Sequence, residues 1–470
     1  MKHFFLFATV LFFLSCGKKS SNEPTTTSPN VTVDPSEALL AGAASIGDNS
    51  GNAYTFQAPN IGSGSLLDFA AGNSFFRDSW VIAPSSTSGR DGLGPMFNAS
   101  SCTGCHALNG RGRPLDGSLS PTAALLFRLS ILGMDSTGAP NPDPHYGGQF
   151  QPKAIPFAKP EGEVRISYSE VPGHYADGSS YSLQVPTYTF DSLQFGPMDA
   201  SVLFSPRIAQ QMPGLGLLEA VSEQTILAYS DPSDGDGDGI SGRPNYVWDV
   251  EAKAKKLGRF GWKANQPSLR QQSAGALNGD VGITSSLFPS EGLTVDQKAL
   301  FNGIPNGGNP EISDVNLAQL TYFCATLAVP VRRNISNPDV IQGKALFSQI
   351  GCDKCHLTEL KTGEYQIEPA FSNMILHPYT DMLLHDMGSG LADNRPDYEA
   401  DGNEWRTPPL WGIGMIQIVN KHNFLLHDGR ARGFEEAILW HGGEGEKAMQ
   451  EFVKLNATQR KQLVTFLENL

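Results

Sequence analysis

Two pentapeptides, Cys102-Thr103-Gly104-Cys105-His106 and Cys352-Asp353-Lys354-Cys355-His356, constrain this chain more than anything else in it. Cys-x-x-Cys-His is the attachment pattern of a c-type haem: the thiols form thioethers with the porphyrin and the adjacent imidazole ligates the iron. His106 and His356 are therefore the expected proximal ligands, beside Cys102, Cys105, Cys352 and Cys355. A single zinc site built from both Cys-x-x-Cys arms is the competing reading. The helical patterns around each motif and the export signal count against it.

The leader is "MKHFFLFATVLFFLSC", a basic start and then an apolar run from Phe4 to Leu14. The run is too short to span a bilayer and reads as an export signal. It resembles a bacterial lipoprotein signal, with cleavage before Cys16 and lipid attached to that thiol. The expected location is the bacterial cell envelope, outer membrane by preference, with the folded part in the periplasm or at the cell surface and the membrane reached only through the lipid anchor. Cysteine usage agrees. Of six cysteines, Cys16 goes to lipid and four to haem, and Cys324 remains as a buried inert thiol. A net charge of −14 excludes nucleic acid, whose binding runs on clustered Lys and Arg.

At 470 residues the chain holds more than one domain. Residues 1–16 are signal and 17–38 a polar tether. After the tether the sequence echoes itself: glycine, phenylalanines and the haem motif in "AGNSFF…SCTGCH", then again in "QGKALFSQIGCDKCH". Leucine-rich helical patterns near 313–329 and 456–470 close the two units. A helix before the motif and a helix closing the unit are the plan of a small c-type cytochrome. The expected fold is mainly α, with two cytochrome c-like haem domains at 39–335 and 336–470. The first carries a long, partly β insertion at about 115–260, including a hairpin in "VRISYSEVPGHYADGSSYSLQVPTYTF".

What each iron does depends on its sixth position. The second motif is followed by His377, His385, His422, His427, His441, Met382, Met387 and Met415. The stretch after His106, residues 107–127, has no histidine, and only His145 and His174 could fold back over the first haem. By supply of ligands, the second haem is the six-coordinate one.

"EWRTPPLWGIG" (404–414) and "FLLHDGRARGFEEAI" (424–438) resemble the C-terminal half of bacterial di-haem cytochrome c peroxidases. With "GRFGWKANQPSLRQQSAGALNGDVGIT" (258–284), "LLHDMG" (383–388) and "LWHGGE" (439–444), the pattern resembles the di-haem oxidoreductase family across most of 60–470. The peroxidases commonly carry the methionine ligand of their electron-transfer haem just before His-Asp-Gly; that position here is Leu426. His427 is then the favoured sixth ligand of the second haem, followed by His385 and Met415. The resemblance also implies that Trp262 relays electrons between the haems, that Gln272 donates a hydrogen bond to bound oxygen, and that Asp280 moves a proton during peroxide cleavage. Trp262 and Gln272 keep the family's spacing; Asp280 falls two residues short of it and replaces a glutamate. The missing histidine after His106 implies a first haem open without reductive activation.

A further site stands apart. "DPSDGDGDGISGRPN" sets Asp234, Asp236 and Asp238 at alternate positions, followed by the Ile240 carbonyl, as in the first half of a calcium loop. Its twelfth position is Asn245 instead of glutamate, leaving Asp249 or Glu251 to close it.

The expected function is an exported di-haem c-type oxidoreductase of peroxidase type. Its first haem reacts with peroxide or oxygen, its second transfers electrons to or from a redox protein, and calcium is a further ligand. The alternatives are a non-catalytic electron carrier with both haems capped, and an anchored redox partner in metal uptake.

Overall fold

The computed structural model describes Met1 and residues 34–114 and 124–470. The leader and Cys16 lie outside the described residues, as do residues 17–33 and 115–123. No helix among the described residues is long and apolar enough to cross a membrane.

The helices that position the site are α1 (Leu66–Arg77), α2 (Leu269–Ala276), α3 (Asp314–Ala325), α4 (Pro338–Gln349), α5 (Phe434–Leu439), α6 (Glu446–Lys454) and α7 (Ala457–Leu467). Their starts are chemically marked. The Ser313 side chain accepts from the Asn316 N–H, satisfying a donor the α3 helix cannot. Asn337 does the same for Asp339 with Pro338 in the first turn of α4, and Asn456 and Gln459 cap α7 reciprocally.

One helix crossing occurs twice. Gly72 of α1 lies so close to α3 that a Cβ there would come 2.0 Å from the Gln319 carbonyl oxygen and 2.7 Å from Phe323 Cβ. Gly343 of α4 meets α7 in the same way, 2.0 Å from the Gln462 oxygen and 2.6 Å from Phe466 Cβ. Four residues beyond each glycine a phenylalanine packs against the facing one: Phe76 on Phe323 at 5.2 Å, Phe347 on Phe466 at 5.4 Å. The same two rings reach the motif histidines, Phe76 to His106 at 6.0 Å and Phe347 to His356 at 6.3 Å. Because i and i+4 share a helix face, glycine and phenylalanine put close approach and aromatic filling on one stripe. The echo in the sequence is thus one packing solution used twice.

The mainly α expectation is wrong. Helix accounts for only 29% and strand for 19%, the strands falling into many small sheets. The physical reason lies in the 50 glycines and 32 prolines, which break helices wherever no motif-flanking amphipathic stripe demands one. The strands that matter are β1 (Leu125–Ser130), β2 (Gln149–Phe150), β3 (Glu163–His174), β4 (Ser180–Asp191), β5 (Leu203–Ile208), β6 (Leu384–Asp386) and β7 (Glu404–Arg406). β1 is the centre of an antiparallel sheet between β2 and β5, with Phe127 opposite both Phe150 and Pro206. β3 and β4 form the expected hairpin, Glu163 opposite Asp191 and His174 opposite Ser180. β6 and β7 pair antiparallel in the second half of the chain, β7 opening the Arg406-Thr407-Pro408 stretch.

Three large apolar clusters result. One surrounds α4 and α7, one lies between α1, α2 and α3, and the third gathers β1, the hairpin, Trp262 and Trp405.

Candidate active site

Both motifs fold into a single tight turn, Cys102–Gly104 and Cys352–Lys354, closed by the histidine N–H on the first cysteine carbonyl at 2.8 and 3.0 Å. Desolvation pushes all four thiols up, Cys105 and Cys352 to about 12, so they are neutral at ordinary pH. His106 Nδ1 lies 2.7 Å from the Gln210 carbonyl oxygen and His356 Nδ1 lies 2.9 Å from that of Tyr379. A carbonyl only accepts, so Nδ1 carries the proton and Nε2 presents its lone pair. Desolvation also pushes both imidazoles down, His356 to about 4, which keeps them neutral and able to ligate.

A cavity of about 470 Å³ opens beside the first motif. It brings together Cys102, Cys105 and His106 with the expected Trp262, Gln272 and Asp280, and with Cys324 from α3. Among the described residues His106 is the only histidine on its wall; His145 and His174 do not line it. Met212 also lines it, two residues after the Gln210 carbonyl that holds His106, on the wall behind that ring. Three buried polar atoms on lining residues have no partner: Arg128 Nε, Gln210 Nε2 and Gln266 Oε1. Paired thiols, a free imidazole lone pair and unsatisfied polar atoms around one volume fit a haem with polar ligands beside it.

Asp280 sits where α2 loosens into a π-turn over Leu277–Val281, a distortion that re-aims side chains. Desolvation raises its carboxyl above the usual range, opposed by a hydrogen bond from Gln149 and by the Arg128 charge. Gln149 Nε2 donates to Asp280 Oδ1 at 2.7 Å and lies within 2.8 Å of Asn98 Oδ1 and 3.1 Å of the Gly279 oxygen. Gln149 was not foreseen, because β2 brings it in from far along the chain. Trp262 is buried, donates Nε1–H to the Ile208 oxygen at 2.9 Å, and lies under the Arg111 guanidinium at 5.2 Å.

His427 is stacked on Trp405 at 3.8 Å and 10°, and its backbone oxygen accepts from Ile208, the residue that also accepts from Trp262. Through Trp405 it sits beside the Trp262–Trp405 cluster. His385 does lie beside the second motif, 3.6 Å from Cys355 Sγ, but both its ring nitrogens are engaged: Nε2 with Asp381 at 2.7 Å, Nδ1 with Glu444 at 2.6 Å. Burial alone would lower its pKa; Asp381 and the other partners hold it well above 6.5, as an imidazolium. Met415 packs with Tyr54 and Val419 in a separate small cluster. His441 donates Nδ1–H to the Ala437 oxygen at 2.8 Å, is pushed down by desolvation, and acts on His356 electrostatically.

Carboxylate oxygens of Asp234, Asp236 and Asp238 all lie within 4.8 Å of one another. Asn245 is turned away, donating to the Lys263 and Asp397 carbonyls, and Glu251 lies 3.7 Å from Arg270. The loop instead faces the second motif: Lys354 Nζ donates to Asp238 Oδ2 at 2.6 Å.

A family described as "di-haem oxidoreductase, putative peroxidase" matches residues 39–130 and 136–470. The chain belongs to the di-haem oxidoreductase family. No curated protein matches it. As a member of that family this di-haem oxidoreductase carries haem and does redox chemistry.

Proposed function

We propose that this di-haem oxidoreductase is an exported c-type enzyme of peroxidase type. Its haem at Cys102, Cys105 and His106 reacts with peroxide or oxygen; its haem at Cys352, Cys355 and His356 is six-coordinate and passes electrons. The observation that carries the reading is the first cavity, whose wall has one histidine and a desolvated carboxyl beside it.

Haem iron, when bound, supplies the electron exchange with peroxide. The protein's part is proton traffic and positioning. Gln149 fixes Asp280 through Oδ1, which leaves Oδ2 to take a proton from one peroxide oxygen and return it to the other. Gln272 on α2 adds an amide at the same wall. Trp262 lines the cavity and continues into the cluster of Trp405, Trp440 and Leu426, an aromatic route towards the second half of the molecule.

For the second haem's sixth ligand we prefer His441 to the expected His427. His441 is neutral, has Nδ1 tied to a carbonyl and Nε2 free, and lies in the electrostatic neighbourhood of His356. His427 takes a place in the aromatic route instead. Calcium at Asp234, Asp236, Asp238 and the Ile240 carbonyl, a lipid on Cys16, and a redox protein as electron partner in the cell envelope complete the proposal.

The test is the optical and EPR spectrum of the purified ferric protein. One high-spin and one low-spin haem is the expected outcome; two low-spin haems would refute an open first haem and favour the electron carrier. His441→Ala should convert the low-spin signal alone, and His427→Ala should leave it.

A further inference from the structure

The wall of the first cavity is cationic. Arg128 on β1 and Arg207 on β5 both line it, and Arg395 stands behind them. One carboxylate serves the last two: Asp397 Oδ2 lies 2.7 Å from Arg207 Nη2 and 3.3 Å from Arg395 Nη1. Arg207 spends its Nε on Ser205 Oγ at 3.0 Å. Arg128 has nothing comparable. Its hydrogen bond is a long one, Nη1 donating to Gln149 Oε1 at 3.4 Å, and its buried Nε has no partner among the described residues.

The neighbouring charges do not cancel the excess. Lys263 and Asp393 pair with each other at 2.8 Å, both fully buried. Tyr398, on the same wall, is pushed up to about 12 by desolvation and carries no charge. Asp280 is pushed towards its neutral form. The guanidiniums of Arg128, Arg207 and Arg395 thus share one carboxylate, Asp397, while Lys263 and Asp393 are closed on each other. Buried charge of one sign is costly unless a counter-charge arrives with good geometry. The group expected in this cavity brings two: a haem has two propionate carboxylates, and arginine's fork matches a carboxylate bidentately.

We propose that this arginine wall anchors the propionates of the first haem, with Arg128 meeting a carboxylate inside the cavity and Arg207, held by Asp397 and Ser205, beside it. The proposal rests on the reading of Cys102–His106 as a haem attachment site. It deepens that reading by naming what the arginines beside Gln149 and Asp280 are for. Propionates held by a buried guanidinium stay ionised, and the positive charge favours the reduced iron, so Arg128 raises the first haem's potential.

The test uses the full-length di-haem protein and its Arg128→Gln and Arg128→Lys variants, each with haem stoichiometry checked. Resonance Raman reads the propionate bending band, and spectroelectrochemistry reads both midpoint potentials. Arg128→Gln should shift the band and lower the first haem's midpoint while leaving the second haem's in place. Arg128→Lys should shift the band, because the fork is lost, yet hold the midpoint near that of the parent. Unchanged band and midpoint in a fully loaded Arg128→Gln protein would overturn the proposal. So would a loss of added formate binding with both haem readouts unmoved, which would make the wall a small-anion site. If Arg128→Gln does not accumulate, an unchanged band in Arg128→Lys overturns it equally. A first haem that proves six-coordinate by EPR defeats the open-haem reading and leaves these readouts intact.

Discussion

In the proposed mechanism, Asp280 and Gln149 form the unit that handles the proton. A carboxyl that shuttles a proton must first be ionised, so peroxide turnover should rise with pH through Asp280's pKa, and desolvation places that limb above the ordinary carboxyl range. The Gln149 hydrogen bond opposes desolvation by favouring the carboxylate. Gln149→Leu removes it, so the limb should move to higher pH; a pH–rate profile displaced downward would contradict the assigned role. Asp280→Asn should cut turnover about a hundred- to ten-thousand-fold with both haem spectra unchanged, as read by steady-state peroxide consumption. Of this pair only Asp280 was singled out in the sequence, through the family resemblance and despite an offset two residues short. Gln149 is brought to it by the β1–β2 register, and no local pattern announces a glutamine that a short strand turns inward.

Among the elements, the paired helices were legible because their signals are local: a cap residue, a stripe of apolar positions, a glycine and a phenylalanine four apart. The small ladders were not, since two- and three-residue pairings such as β6 with β7 depend on what the rest of the chain brings beside them. The glycine crossings give a direct prediction. Gly72→Ala and Gly343→Ala would each drive a methyl into a helix backbone oxygen that cannot step aside. Each should cost about 1–3 kcal/mol or more, measured as a lower thermal midpoint; unchanged stability would mean the helices are free to separate. The acidic loop offers a second. Its Asp238 is bound to Lys354, between the cysteines of the second motif, and Ser241 donates to Glu444, which holds His385. Chelation of calcium should therefore lower the melting temperature and perturb the second haem's absorption band with the first unaffected. A protein whose melting and spectrum ignore both chelator and added calcium has no functional cation there.

Over the whole molecule, the β3–β4 hairpin leaves the first half of the chain and straps the second. Glu170 pairs with Arg432 at 2.7 Å, Tyr188 donates to Asp428 at 2.9 Å, and the Ala176 N–H donates to the Val453 oxygen at 3.0 Å on α6. At its turn Tyr175 packs edge-on to Phe452 at 6.2 Å beneath the Arg460 guanidinium at 3.7 Å. Single exposed ion pairs contribute little, but a buried aromatic anchor and backbone hydrogen bonds along one long ladder resist rotation of one half against the other. A mechanism that opened the first haem by a large rearrangement on reduction would have to break this strap, and the cavity has no capping histidine to expel. The first haem should accordingly bind cyanide, and react with peroxide, at the same rate whether the second haem is oxidised or reduced. Stopped-flow spectra of both redox forms measure this directly. A ferric form that is inert until an electron is added would show that the halves move, and that the strap yields when they do.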